Sequence, residues 1–163
     1  MKNKFYTIAI LLACIGIVLA SFRSSPAAEK EIAYPEGYRD WTHVKTYIIG
    51  PKNPAFKSIG GFNHVYANDL ALSGYETGNF PDGSMIVQDN IAAAEDSISI
   101  REGNRVAVIL MIKDSKRFAA SEGWGFESFR NDTRERTLTP AVVTTCVNCH
   151  NKNKDMVFSD YRK

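Results

Sequence analysis

Cysteine, histidine and tryptophan are scarce in this chain, at three, three and two among 163 residues. That scarcity leaves a zinc site short of ligands and any disulfide with few partners. No sign of charge dominates, with 20 Lys and Arg against 18 Asp and Glu. Lys2, Lys4 and Arg23 meet no acid within residues 1–28, so taking these three charges from the formal +2 leaves −1 on the remainder. A body so close to neutral lacks the basic footprint of a nucleic-acid binder, and neither nucleic acid nor anionic membrane is an expected partner. Long apolar runs are missing beyond the first twenty residues, which excludes a polytopic membrane protein. Internal repeats and low-complexity tracts are also missing, and the length excludes a two-domain enzyme. The 44% apolar and 23% charged residues are the balance of a globular domain.

The one apolar run has the layout of a secretory signal. Lys2 and Lys4 precede Ile8–Ala20, and small residues follow from Ser21 to Ala28. Val18-Leu19-Ala20 and Ala27-Ala28 are the two candidate cleavage sites. The run falls short of the ~20 residues of a comfortable transmembrane helix, so an uncleaved anchor is the alternative reading. Residues 1–28 are therefore expected to be a signal peptide and 29–163 a single exported, periplasmic domain. Cys14 leaves with the signal, and Cys146 and Cys149 remain.

Periodicity and turn chemistry place the elements of the mature region. Tyr34–Trp41 reads as a short helix or turn with aromatic anchors, and Val44–Ile49 as a strand stopped by Gly50-Pro51. Residues 52–61 read as a loop, and Phe62–Ala67 alternates as a half-buried strand. Asn68 is a good N-cap for a helix to about Glu76, closed by Gly78. After the turn Phe80–Gly83 come a strand at Ser84–Asn90, a turn at Arg101–Asn104 and the most apolar strand, Arg105–Ile112. Asp114 is expected to cap a short helix through Ala120, and Gly123–Phe129 to form a strand with one aromatic face. Thr139 as N-cap and Pro140 at the first helical position predict a last helix. The expected class is α+β, a predominantly antiparallel sheet with short flanking helices.

That last helix runs into Cys146-Val-Asn-Cys149-His150, the attachment signature of c-type haem. Two thiols three positions apart can each add to a haem vinyl group, and the adjacent imidazole faces the iron. Three alternatives compete with this reading. A thioredoxin-like pair would sit in an early βαβ unit, and none is visible. A zinc site would need His43 or His64 at unrelated spacing. A structural disulfide leaves His150 unexplained. The late position of the motif resembles that of cytochromes c′, whose sixth coordination site is open, but the four long amphipathic helices of the familiar c′ bundle are absent.

Five blocks carry a more specific resemblance: Gly78–Gly83, Lys113–Phe118, Gly123–Phe126, Cys146-x-x-Cys149-His150 and Asp155–Phe158. In this order, from about Pro35 to Phe158, they resemble the cytochrome P460 family, which includes the β-rich cytochromes c′. The resemblance implies an antiparallel β fold with helices beside it and a homodimer. It also implies one covalent haem c per chain, with His150 as proximal iron ligand and a vacant distal side.

Departures from the family pattern shape the expected function. Members that oxidise hydroxylamine carry a haem-linked lysine where this chain aligns Gln88, a distal glutamate where it has Ile109, and a basic residue near Asn63. No catalytic residue is therefore assigned. Asn63, Gln88, Ile109 and Met111 are the candidate distal-pocket residues, and Met111 and His64 the candidates for a sixth iron ligand. His64 is more simply a hydrogen-bonded structural histidine, His43 a packing or surface residue, Met85 and Met156 core, and Trp124 and Phe126 core or haem-edge packing. Lys113, Lys116 and Arg117 read as a solvated helix face that could meet a haem propionate or an electron-transfer partner. Two functions follow. One is a gas-binding cytochrome taking up NO or CO. The other is an electron-transfer cytochrome, or a residual oxidoreductase acting on hydroxylamine or NO, that exchanges electrons with other exported redox proteins.

Overall fold

A computed structural model describes residues 31–162; the signal expected at residues 1–28 lies outside the described residues. Five strands, β1 (Thr42–Ile49), β2 (Gly61–Ala67), β3 (Met85–Glu95), β4 (Ile100–Lys113) and β5 (Trp124–Arg130), pair in chain order as one antiparallel meander. Among the described residues, three α-helices accompany them: α1 (Phe56–Ile59), α2 (Asp69–Thr77) and α3 (Pro140–His150). The class is α+β, as expected.

Alternation along the strands gives the sheet two different faces. Val65, Ala67, Ile86, Met111, Trp124 and Phe126 share one core cluster with Phe80 and Met156. Val87, Val108, Leu110 and Phe129 share the other with Ile32 and Tyr38. The second face buries a charge. Asp89 is fully buried and takes hydrogen bonds from Arg39 Nε (2.9 Å) and Arg105 Nε (2.7 Å). Burial works to raise the Asp89 carboxyl, but the bonds from Arg105, Arg39 and Tyr38 outweigh it and hold it below its ordinary value.

Asp89→Ala is expected to destabilise the fold by about 3 kcal/mol in denaturant melts, the low end for a broken buried ion pair, because half-exposed Arg39 can turn to water. Because the folded carboxyl sits lower than the unfolded one, its contribution is present above pH ~4 and lost as pH falls further. The parent should therefore lose stability on acidification below pH 4 more steeply than the variant.

Capping follows the sequence closely. The Asn68 side chain accepts from Ala71 N at 3.0 Å to start α2, and Gly78 closes it at φ 73°. Thr139 accepts from Val142 N at 3.4 Å and Pro140 opens α3.

Three expected elements are different. The loop expected at residues 52–61 contains the one-turn helix α1 and ends on Gly61, the first residue of β2. Arg101–Asn104 is strand, not turn, and the β3–β4 hairpin closes at Asp96–Ser99, where Asp96 Oδ1 accepts from Ile98 N and Ser99 N. Gly103 is there for close approach: a Cβ on it would meet the Ala92 carbonyl at 3.1 Å, beside a stretch where the register slips. Asp114 does accept from Arg117 N, but only a turn follows, with a single 3-10 turn at Ala119–Ser121. Asp82 Oδ1 takes both the Ser115 N–H (2.8 Å) and its hydroxyl (2.7 Å), pinning the segment to the preceding turn before a helix can propagate.

Candidate functional site

Helix α3 covers the first sheet face loosely. None of its residues is buried, its contacts run to β5, and a cavity of about 930 Å³ opens between helix and sheet. That volume lies within the ~300–1,000 Å³ of small-molecule and cofactor sites. Cys146, Cys149 and His150 line one side. Both thiols are free, and burial pushes the Cys146 thiol up.

The sheet supplies the opposite wall in register. Lys45, Val65, Gln88, Ile109 and Ser128 form one row across all five strands, each lining the cavity. Ile86, Met111 and Phe126 form most of the next row, and Ala107 and Arg130 pair beyond. Among the described residues that line the cavity there is no aspartate or glutamate.

His150 is held as a ligating imidazole is held. Its Nδ1 lies 2.7 Å from the Met156 carbonyl, which can only accept, so the ring proton sits on Nδ1 and Nε2 keeps its lone pair. Phe126 and Phe158 meet the ring edge-on, at centroid distances of 5.1 and 4.8 Å. Burial lowers the His150 pKa below its ordinary value, against the opposing effect of the Met156 bond, and this favours the neutral form.

The distal candidates divide. Gln88, Ile109 and Met111 line the cavity, whereas Asn63, on the same face of β2 as Val65, is fully buried and does not line it. Asn63 Oδ1 accepts from Gln88 Nε2 (2.7 Å) and Asn90 Nδ2 (3.1 Å), while its own amide donates to the Gly61 carbonyl. Tyr47, which the sequence did not single out, also lines the cavity and donates its hydroxyl to Gln88 Oε1 at 2.9 Å. The wall is thus less apolar than strand alternation implies, but the phenol proton and one amide proton are engaged within it.

His64 alternates onto the other face of β2, away from the cavity. It hydrogen-bonds Thr46 Oγ1 at 2.8 Å through Nδ1, lies 2.8 Å from Glu102 through Nε2 and stacks on Phe62. His43 bonds the same threonine hydroxyl. Among the described residues no group of three His, Cys, Asp or Glu is placed to hold a metal ion, so the zinc alternative finds no ligand set. Lys113 is not on a solvated helix: it ends β4, is 8% exposed and pairs with Asp155 at 2.6 Å. Met156 packs in the core as expected, while the use of its carbonyl had no side-chain signal.

The family profile of cytochrome P460 matches residues 35–159, nearly the whole described chain. The chain belongs to the cytochrome P460 family. It is accordingly a haem-binding cytochrome. No curated protein matches it significantly. The cavity fits the family's cofactor: apolar walls for a tetrapyrrole, two free thiols and an imidazole with an open Nε2 on one side. Lys45 and Arg130 line the cavity from the two edge strands, and Arg130 is paired with Glu135.

Proposed function

We propose that this cytochrome P460 member is an exported, periplasmic c-type cytochrome that binds small neutral gases, NO or CO, at an open distal position. Cys146 and Cys149 hold one haem through thioether bonds, and His150 Nε2 is its proximal ligand. The observation that carries this reading is the absence of any carboxylate from the cavity wall among the described residues. Bound there, the haem supplies an iron that takes neutral diatomic molecules.

The chain's own residues do the rest. His150, locked by Met156, presents one tautomer and one ring orientation. Ile109, Met111 and Ala107 present apolar surface opposite, which costs a neutral ligand little and offers a developing anion no preorganised partner. Gln88 stands where hydroxylamine-oxidising relatives carry their haem-linked lysine, and its amide is tied to Tyr47 and Asn63. A homodimer and exchange of electrons with other exported redox proteins belong to the same proposal.

Electron transfer is the second reading, favoured by the thioether of Met111 on the cavity wall. One optical measurement separates the two. Reduced protein is expected to give a five-coordinate high-spin spectrum that shifts on adding CO and on adding NO, with no stable dioxygen adduct. A six-coordinate low-spin spectrum that CO leaves unchanged would overturn gas binding in favour of electron transfer.

A further inference from the structure

The segment after the haem motif is folded against preference. Asp155 and Met156 are consecutive non-glycine residues in the left-handed region, at φ 48° and 58°. That conformation crowds Cβ against the carbonyl and persists only where the surroundings impose it. Here it turns the Met156 carbonyl back onto His150 Nδ1.

The surroundings that impose it converge on one carboxylate. Asp155 Oδ1 accepts from Lys113 Nζ at 2.6 Å and from Trp124 Nε1 at 3.3 Å, and Oδ2 accepts from the Phe80 backbone at 3.1 Å. These donors come from the end of β4, the start of β5 and the turn before β3. Lys113 and Trp124 are a register pair, and the ammonium lies 5.0 Å from the indole centroid. The Met156 side chain, 1% exposed, sits in the same core. Asn153 N bonds the His150 carbonyl and Met156 N bonds the Asn153 carbonyl, each at 3.0 Å, so the loop between histidine and carbonyl has little slack.

We propose that Asp155, anchored by Lys113 and Trp124, is a positioning residue that fixes the Met156 carbonyl on His150 and thereby sets how strongly His150 donates to the haem iron. A shorter, better aligned Nδ1–H···O bond gives the imidazole more anionic character, which strengthens the iron–histidine bond and favours the oxidised metal. The chain thus tunes its iron from a carboxylate that does not line the cavity.

The inference rests on the haem reading proposed above, and its test separates the two. Full-length protein with attached haem is reduced, the iron–histidine stretching band is recorded by resonance Raman, and the reduction potential is titrated. Asp155→Asn and Lys113→Met are each expected to lower the band frequency and to raise the potential, with Lys113→Arg restoring both toward the parent. Unchanged bands in both variants would overturn the proposal. So would potentials that move in opposite directions, the pattern expected from losing a negative or a positive charge with the carbonyl still in place. If circular dichroism shows either variant unfolded, Trp124→Phe, which removes the 3.3 Å contact, is expected to shift the band the same way, and no shift there overturns the proposal. No iron–histidine band in the unmodified reduced protein would instead overturn the five-coordinate haem reading proposed above.

Discussion

Replacing Cys146 and Cys149 together by serine is expected to abolish covalent haem retention: acid–acetone should leave the precipitated variant colourless and the parent coloured. Both thiols line the cavity on α3, and no other cysteine lies among the described residues. His150→Ala should keep the attached haem but lose the proximal ligand, shown by loss of the iron–histidine band. Mass spectrometry of digested parent protein should find haem only on the peptide spanning 146–149. A second haem-bearing peptide containing Gln88 or Lys45 would show that a wall side chain is linked too.

The other large effect concerns hydroxylamine. Oxidising it requires removing several protons from the substrate, and the described residues lining the cavity offer no carboxylate to accept them. Losing a general base typically costs about 10²–10⁴ in rate, so turnover should fall at least that far below that of relatives with the glutamate and the linked lysine. Ile109→Glu places a carboxylate on the wall beside Gln88, yet is expected to recover little activity if, as proposed above, Gln88 stands in place of the linked lysine. Steady-state oxidation of hydroxylamine with a dye acceptor checks both. Efficient turnover by the unmodified chain would overturn the gas-binding proposal.

Much of this was legible in residue order because it depends on local chemistry. Period-two alternation in Phe62–Ala67 is enough to put Val65 on one face and His64 on the other. Asn68, Gly78 and Thr139 mark helix ends through capping bonds made within a few residues, and Pro140 marks one through its fixed φ. Gly103 misled because glycine marks turns and close approaches alike, and the close partner, Ala92, lies across a hairpin. Lys113 misled because its partner Asp155 is forty-two residues away. Tyr47 went unnoticed because its place in the cavity depends on β1 pairing with β2 and β2 with β3. The bond that orients His150 is made by a backbone carbonyl, which every residue carries and no residue type announces.

The meander has a consequence for biogenesis. Every strand pairs with its neighbour in chain order, and all five precede the attachment motif. Such short-range pairing forms readily. The cavity wall of Gln88, Ile109 and Met111 is therefore built from elements that all precede α3 in the chain, and α3 is the last element to complete the cavity in chain order. Between closing of the sheet and loading of the cofactor, the apolar wall is bare, and this interval is when the chain is most exposed to aggregation and proteolysis.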